Sequence, residues 1–131
     1  MNIDKEYYNL GVVGSRSIRD QGYVWSCIEE VIRLVGEKPR CIVSGGAIGV
    51  DGYAAQYAKE HEIFLIEHYP DYRKHGSSAP FTRNEKIVKD SAVLVAVWDG
   101  ESNGTLNSIN IAKKLGIPTN IFVYGQLRFN I

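Results

Sequence analysis

Short apolar runs alternate with amphipathic segments along most of the chain, and this alternation constrains the fold more than any other feature. The runs have the length of strands, and the segments between them repeat apolar residues at helical spacing. Strands separated by helices form right-handed βαβ crossovers and therefore a parallel sheet. We predict an α/β fold, a Rossmann-like three-layer α/β/α sandwich of about five strands in the order 3-2-1-4-5. Residues 1–131 are expected to form one such domain.

The predicted strands are residues 8–13, 41–44, 63–67, 92–98 and 119–124. The predicted helices are residues 23–35, 52–61, 81–89 and 105–115. Residues 68–80 are polar and contain Pro70, Gly76 and Pro80, which predicts a long loop that is either a functional flap or simply mobile. Residues 126–131 are expected to cover an edge of the sheet or to pair with another subunit.

Composition argues against several classes of function. Lys plus Arg number 15 and Asp plus Glu number 15, so the formal net charge is zero. A general binder of nucleic acids or membrane surfaces needs a basic excess, so neither is expected as a partner. Cys27 and Cys41 are typical of small buried hydrophobes, and no Cys/His spacing indicates a metal site. We expect no metal and no cofactor. We also expect a cytoplasmic protein, because no apolar segment resembles a signal or a membrane span.

Three glycine-containing turns follow predicted strands. We call residues 14–17 the first turn, residues 44–51 the second and residues 99–105 the third. Since the carboxyl ends of parallel strands meet at one edge of a sheet, these turns should converge on one rim. Glycines let backbone N–H groups approach a ligand closely, and the helix that follows adds a partial positive charge. Each turn alone could need glycine only for a positive φ, but together they predict a phosphate-binding nucleotide pocket.

Several side chains on these turns have two interpretations. Ser102 and Thr105 supply hydroxyl donors, although Thr105 also fits a helix N-cap. Arg16 could form a fork on a phosphate or be an ordinary surface arginine. Asp51 could cap N–H groups or hold sugar hydroxyls. Trp98 could stack on a base or pack at a strand end.

Arg83 and Asn84 begin a predicted helix. Arg83 could hold a phosphate or a ribose and Asn84 could recognise an amide or hydroxyl, or both could belong to a solvated helical turn. The complete candidate ligand-binding set is Gly14, Ser15, Arg16, Ser44, Gly45, Gly46, Asp51, Arg83, Asn84, Trp98, Gly100, Ser102, Gly104 and Thr105.

These motifs in this order resemble the YspA/YpsA-related branch of the SLOG superfamily, which also holds the DNA-processing protein DprA and the lonely guy phosphoribohydrolases. The motifs are Gly14-Ser15-Arg16, Ser44-Gly45-Gly46-Ala47-x-Gly49-x-Asp51, Pro70-x-Tyr72-x-x-x-Gly76, Arg83-Asn84, Trp98-x-Gly100-x-Ser102-x-Gly104-Thr105 and Ala112-x-x-x-Gly116-Ile117-Pro118. The resemblance implies a nucleotide-derived small molecule at the glycine rim, and a homodimer or larger homo-oligomer.

One departure from the lonely guy enzymes bears on catalysis. Those enzymes carry a glutamate three residues after the threonine of their Gly-Thr motif, where this chain has Ser108. Cleavage of an N-glycosidic bond passes through an oxocarbenium-like state that needs a carboxylate. Asp99 or Glu101 could replace that glutamate, but Asp51 is the best candidate for a catalytic residue, and it could equally bind ribose hydroxyls.

Three functions are therefore considered. The first is a sensor or sequestering protein that binds a nucleotide or a nucleotide-derived signalling ligand. The alternative is an enzyme, a nucleoside 5′-monophosphate N-glycosidase. The third is DprA-like binding of single-stranded DNA, which the zero net charge disfavours.

Overall fold

The computed structural model describes residues 7–125, in which strands and helices alternate. The strands are β1 (Asn9–Gly14), β2 (Cys41–Ser44), β3 (Phe64–Glu67), β4 (Val93–Trp98) and β5 (Thr119–Val123). The helices are α1 (Gln21–Val35), α2 (Val50–Glu60), α3 (Tyr72–His75), α4 (Ala79–Lys89) and α5 (Asn103–Leu115), with a 3₁₀ turn at Gly76–Ser78. The expectations for residues 126–131 lie outside the described residues.

All five strands form one parallel sheet in the order β3-β2-β1-β4-β5. Gly11 on β1 lies opposite both Val43 of β2 and Leu94 of β4, so β1 is in the middle of the sheet and β2, β1 and β4 are the central strands. The predicted fold class and strand order are confirmed. Strand order reverses between β1 and β4, and ligands in open parallel sheets bind beside such a point.

Alternate residues of the central strands enter two separate apolar clusters. Val12 and Val95 pack with α1 and α2, whereas Val13 and Ala96 pack with α4 and α5. Helices therefore cover both faces of the sheet, which explains why β4 is apolar at successive positions. Each fully buried valine side chain on these strands stabilises the fold by about 1.5–3 kcal/mol.

Capping residues define the ends of α1 and α5. Asp20 accepts a hydrogen bond from the backbone nitrogen of Tyr23 at the start of α1 (3.1 Å). Gly36 and Gly116 end α1 and α5 in the left-handed conformation, with φ of 96° and 74°. These caps fix the lengths of the helices that flank the rim.

The segment expected to be a long loop is largely helical. It contains α3, which Asp71 caps by accepting from the backbone nitrogen of Lys74 (3.1 Å), then the 3₁₀ turn and the first two residues of α4. Pro80 lies in the first turn of α4, where its missing N–H costs nothing. The proline therefore starts the helix instead of preceding it.

Within residues 7–125, no helix has both the length and the apolar character needed to cross a membrane.

Candidate functional site

A cavity of about 430 Å³ opens at the carboxyl ends of the central strands. This volume lies within the usual range for small-molecule sites. The candidate residues that line the cavity are Gly14, Ser15, Arg16, Asp51, Arg83, Asn84, Ser102, Gly104 and Thr105. Ser44, Gly45, Gly46, Trp98 and Gly100 do not line it.

Three hydroxyl groups meet in this cavity, and we call Ser15, Ser102 and Thr105 the hydroxyl cluster. Ser102 Oγ lies 2.8 Å from Ser15 Oγ and 3.0 Å from Thr105 Oγ1, and Ser15 Oγ lies 3.4 Å from Thr105 Oγ1. Ser15 Oγ also accepts a hydrogen bond from the backbone nitrogen of Asp99 (3.0 Å). Hydroxyls rotate, so this cluster can turn its O–H donors toward an anion.

The hydroxyl cluster lies at the start of α5. Ser102 is the N-cap residue, but its side chain makes no capping hydrogen bond, and Thr105 is the third helical residue instead of the cap. The first N–H groups of a helix have no intrahelical partner. Together with the positive end of the helix dipole they attract an anion to this part of the cavity.

Glycines bring the first and second turns into direct contact. A Cβ on Gly14 would lie 2.5 Å from the Val50 side chain, and one on Gly49 would lie 2.7 Å from the carbonyl oxygen of Arg16. Gly49 also has a φ of 78°, which favours glycine. The start of α2 therefore packs against the end of β1 with no room for side chains between them.

Arg83 and Asn84 link α4 to both neighbouring turns. Arg83 Nη1 donates to the carbonyl oxygens of Gly45 (2.8 Å) and His68 (3.5 Å), and Arg83 Nε donates to Asn84 Oδ1 (3.0 Å). Asn84 Nδ2 donates to the carbonyl oxygen of Gly104 (3.3 Å) and to Asn107 Oδ1 (3.1 Å). Asn84 is buried, so the solvated-turn interpretation is wrong for it.

Asp51 is a buried carboxyl on the cavity wall. Burial raises its pKa to about 6, against the lowering effects of the Ala47 N–H group and the charge of Arg83. Asp51 Oδ2 accepts from that N–H at 3.2 Å. The nearby Ser44 hydroxyl also lowers the pKa, although Ser44 Oγ is buried without a hydrogen-bond partner at normal distance among the described residues.

Arg16 is exposed and lines the cavity. Within the described part of the chain, its guanidinium group has no hydrogen bond or ion pair, and only its carbonyl oxygen is used, as the acceptor for Arg19 Nε (3.0 Å). The charge of Arg16 is therefore free to meet a ligand.

The remaining candidates support the rim from outside the cavity. Trp98 packs against the apolar cluster beneath α4 and α5, and its Nε1 donates to the carbonyl oxygen of Ser102 (3.0 Å). Gly46 is covered by Tyr69, because a Cβ there would lie 2.3 Å from the Tyr69 ring. Trp98 thus braces the third turn, and Gly46 is closed off by an aromatic side chain.

Residues 11–75 match the model of the YspA, cpYpsA-related SLOG family. Over that segment, 65 of the 131 residues, the chain is similar to this family. The segment contains most of β1, the first and second turns and Asp51, so the family resemblance drawn from the motifs is confirmed. A comparison with curated proteins gave no match.

A solved structure of DNA processing protein A from Helicobacter pylori, described for its single-stranded DNA binding mode, has the same fold. The likeness has a TM-score of 0.69 and 19% sequence identity, and it covers 94% of this chain and 67% of the Helicobacter chain. At this identity the likeness establishes the fold alone.

This neighbour overturns the expectation that nucleic acid is not a partner. That expectation rested on a net charge of zero, yet a protein of the same fold binds single-stranded DNA. A net charge of zero is not a sufficient ground for excluding nucleic acid, because binding depends on where charge lies and not on its total.

The cavity is also lined by residues outside the predicted ligand-binding set. Ser17 and Phe81 were not singled out from the sequence, whereas Asp99 and Ser108 were named there only in connection with the missing glutamate. Asp99 Oδ1 accepts from the N–H groups of Glu101 (2.9 Å) and Ser102 (2.8 Å), and Asp99 Oδ2 accepts from Ser17 Oγ (2.8 Å). An aspartate that begins a glycine-containing turn is a sequence signal for this role in holding the turn together.

Hydrogen bonds set the charge state of Asp99. Burial alone would raise its pKa, but the bonds from Glu101, Ser102 and Ser17 outweigh burial and lower the pKa to about 2. Asp99 is therefore a carboxylate that holds the third turn together. Among the described residues, no group of three or more His, Cys, Asp or Glu side chains could hold a metal ion.

Proposed function

We propose that this chain binds a nucleotide or nucleotide-derived ligand in the cavity, with a phosphate group at the hydroxyl cluster and the start of α5. The observation that carries the proposal is the meeting of Ser15, Ser102 and Thr105 beside an uncapped helix start. A phosphate accepts hydrogen bonds from hydroxyl and backbone donors and is stabilised by the helix dipole.

The charge on the same cavity supports an anionic ligand. The guanidinium group of Arg16 has no partner within residues 7–125. A guanidinium group and a phosphate form two parallel hydrogen bonds, which hydroxyl donors alone do not provide. We therefore assign Arg16 to the phosphate together with the hydroxyl cluster, which joins Ser15 of the first turn to Ser102 and Thr105 of the third.

Asp51 is assigned to the sugar of the ligand. Its carboxyl lines the same cavity, and Oδ2 accepts a hydrogen bond from the Ala47 N–H group (3.2 Å). The second oxygen can accept from a ribose hydroxyl. A ligand that contacts the hydroxyl cluster with its phosphate and Asp51 with a sugar hydroxyl makes both contacts at once. Inorganic phosphate makes only the first, so the cavity should prefer phosphorylated sugars.

Binding without turnover is proposed as the main activity. The position that carries glutamate in the lonely guy enzymes is Ser108 here, and its buried hydroxyl donates to the carbonyl oxygen of Gly104 (3.4 Å). A serine cannot stabilise an oxocarbenium ion as a carboxylate does. If turnover does occur, Asp51 is the carboxylate assigned to it, and Asp51→Asn would abolish product formation while ligand remains bound.

Binding of single-stranded DNA is the second candidate, and it is proposed on two observations. The structural neighbour from Helicobacter pylori binds single-stranded DNA. In addition, α3 has the sequence Tyr72-Arg73-Lys74-His75, and Tyr72 is 60% exposed. Exposed aromatic rings beside basic groups stack bases and attract the phosphate backbone.

Calorimetric titration with nucleoside monophosphates and with a single-stranded oligodeoxynucleotide tests both candidates. Ser102→Ala and Arg16→Ala should each weaken mononucleotide binding roughly tenfold, the usual scale for a charge-assisted hydrogen bond. Ser26→Ala and Arg40→Ala are matched controls, because Ser26 lies on α1 and Arg40 precedes β2 at the opposite edge of the sheet. Neither control should change the affinity.

The outcomes separate the functions. Binding of an intact mononucleotide that weakens roughly tenfold in Ser102→Ala supports the main proposal. Strong salt-dependent binding of the oligonucleotide alone, lost in Tyr72→Ala, replaces it with DNA binding. Free base detected by mass spectrometry makes the protein a glycosidase. Equal affinity of Ser102→Ala and the parent would contradict the phosphate assignment.

A further inference from the structure

We infer that Phe81 holds the nucleobase of the ligand by stacking, so that the cavity recognises the face of the base more than its hydrogen-bonding edge. This inference rests on the proposed function and specifies its ligand as a nucleotide with an aromatic base. Phe81 lies in the first turn of α4 and lines the cavity, and 49% of its surface is exposed.

The half-exposed Phe81 side chain contributes little to the packing of the core. The apolar cluster beneath α4 uses Ile87 and Val88, and Phe81 is not part of it. The ring instead lies between the main cavity and a shallower groove on the surface of α4 and α5, since it lines both. A large apolar face left open beside a polar site is typical of a surface that a ligand covers.

Apolar groups accompany Phe81 in the lining. Pro80 precedes it, and Val13 and Ile87 line the same cavity. These side chains offer van der Waals contact without hydrogen bonds, which suits the flat face of a base. The cavity thus contains both donors for a phosphate and an apolar surface for a ring.

Three of the polar side chains that could recognise the edge of a base are already bonded within the protein. The Asn84 amide accepts from Arg83 Nε (3.0 Å) and donates to Gly104 and Asn107. Ser17 donates to Asp99, and Ser108 donates to Gly104. Binding therefore should depend on the presence of a base much more than on its identity.

The bonds of Asn84 also hold Phe81 in a fixed place. Because Asn84 ties α4 to Gly104 and Asn107 of α5, the N-terminal helical turn of α4 keeps its position relative to the start of α5. One ligand can therefore contact the hydroxyl cluster with its phosphate and Phe81 with its base. Inorganic phosphate or a sugar phosphate would leave the ring uncovered.

The test compares adenosine, guanosine, cytidine and uridine 5′-monophosphates with ribose 5-phosphate by calorimetric titration. The parent protein should bind each nucleotide about tenfold more tightly than ribose 5-phosphate, the scale of one base–aromatic stack, with little difference between bases. Phe81→Ala should remove this advantage without changing the affinity for ribose 5-phosphate, and Phe81→Tyr should retain it. Phe64→Ala is the matched control, because Phe64 is 77% exposed on β3 and does not line the cavity.

Two results would overturn the inference, and they are distinguishable. If the parent protein binds ribose 5-phosphate as tightly as the nucleotides, or if Phe81→Ala keeps the nucleotide advantage, stacking is refuted while the phosphate site stands. If neither the nucleotides nor ribose 5-phosphate bind, the proposed function fails and this inference fails with it. Thermal unfolding of Phe81→Ala should match the parent protein because the ring is half exposed.

Discussion

Arg83 on α4 donates a hydrogen bond from Nη1 to the carbonyl oxygen of Gly45, 38 residues earlier in the chain, at 2.8 Å. A Cβ on Gly45 would lie 2.6 Å from that Nη1 and 2.8 Å from Asp51 Oδ2. The absence of a side chain at Gly45 therefore lets a cation and a carboxyl approach the same backbone. This contact ties the fourth helix to the second turn of the rim.

Replacing Arg83 should weaken both the fold and ligand binding. Arg83→Ala leaves the carbonyl oxygens of Gly45 and His68 without their donor, which should cost about 1–3 kcal/mol of unfolding free energy. Arg83→Lys keeps the charge but not the planar fork, so it should recover only part of the loss. Urea unfolding measures the change, with the exposed Lys86→Ala as control. Unchanged stability and affinity together would remove Arg83 from the site.

Asp51→Asn should stabilise the protein at neutral pH. The pKa of Asp51 is raised from 3.8 to about 6, so the folded state binds its proton more tightly than the unfolded state. The resulting stability is present below pH 3.8 and is lost as pH rises through about 6. An asparagine keeps an acceptor for the Ala47 N–H group without the buried charge.

The expected gain of Asp51→Asn is on the order of 1–3 kcal/mol at pH 8 and close to zero near pH 4. Denaturant unfolding of both proteins across this range measures the gain, with Asp71→Asn at the N-cap of α3 as an exposed control. A variant that is less stable than the parent at pH 8 would show that attraction to Arg83 outweighs the cost of burial.

Two glycine substitutions should separate stability from binding. An added Cβ at Gly104 meets nothing within 4 Å, and Gly104 lies in α5, so Gly104→Ala should be neutral or stabilise by up to about 1 kcal/mol. Its methyl group would nevertheless narrow the cavity where the phosphate is assigned, and nucleotide affinity should fall. Gly14→Ala would place a Cβ 2.5 Å from Val50 and should cost about 1–3 kcal/mol.

Thermal unfolding and calorimetric titration of Gly104→Ala and Gly14→Ala test these two predictions. The assignment of α5 to the phosphate would be refuted by a Gly104→Ala protein that binds nucleotide as well as the parent does.

Asp99→Asn should loosen the third turn. The Asp99 carboxylate accepts from Glu101, Ser102 and Ser17, and those bonds lower its pKa to about 2. Because the folded pKa is depressed, its stabilisation is present above about pH 4 and is lost as pH falls toward 2. Asp99→Asn should reduce the unfolding free energy at pH 7 by roughly 1 kcal/mol, since the residue is partly exposed.

Urea unfolding at pH 7 and at pH 2.5 measures the effect, and the difference between variant and parent should shrink at the lower pH. A difference that stays constant with pH would mean that the charge of Asp99 contributes nothing.

Local patterns were sufficient to predict the layered sheet and its strand order. The alternation of strand and helix periods along 7–125 follows from which residues are apolar, and the βαβ connection has one favoured hand. Glycines at 14, 49 and 100 mark the turns because close contact or a positive φ excludes other residues there. These are properties of neighbouring residues, so the sequence carries them directly.

By itself, then, the sequence determined the fold, the family and the edge of the sheet where the cavity lies. The tertiary structure decided which side chains face that cavity. It brought Phe81, Asp99 and Ser108 into the lining and left Trp98 behind the third turn. The physical reason is that the direction of a rim side chain is fixed by hydrogen bonds and packing with residues far along the chain, such as the contact of Arg83 with Gly45.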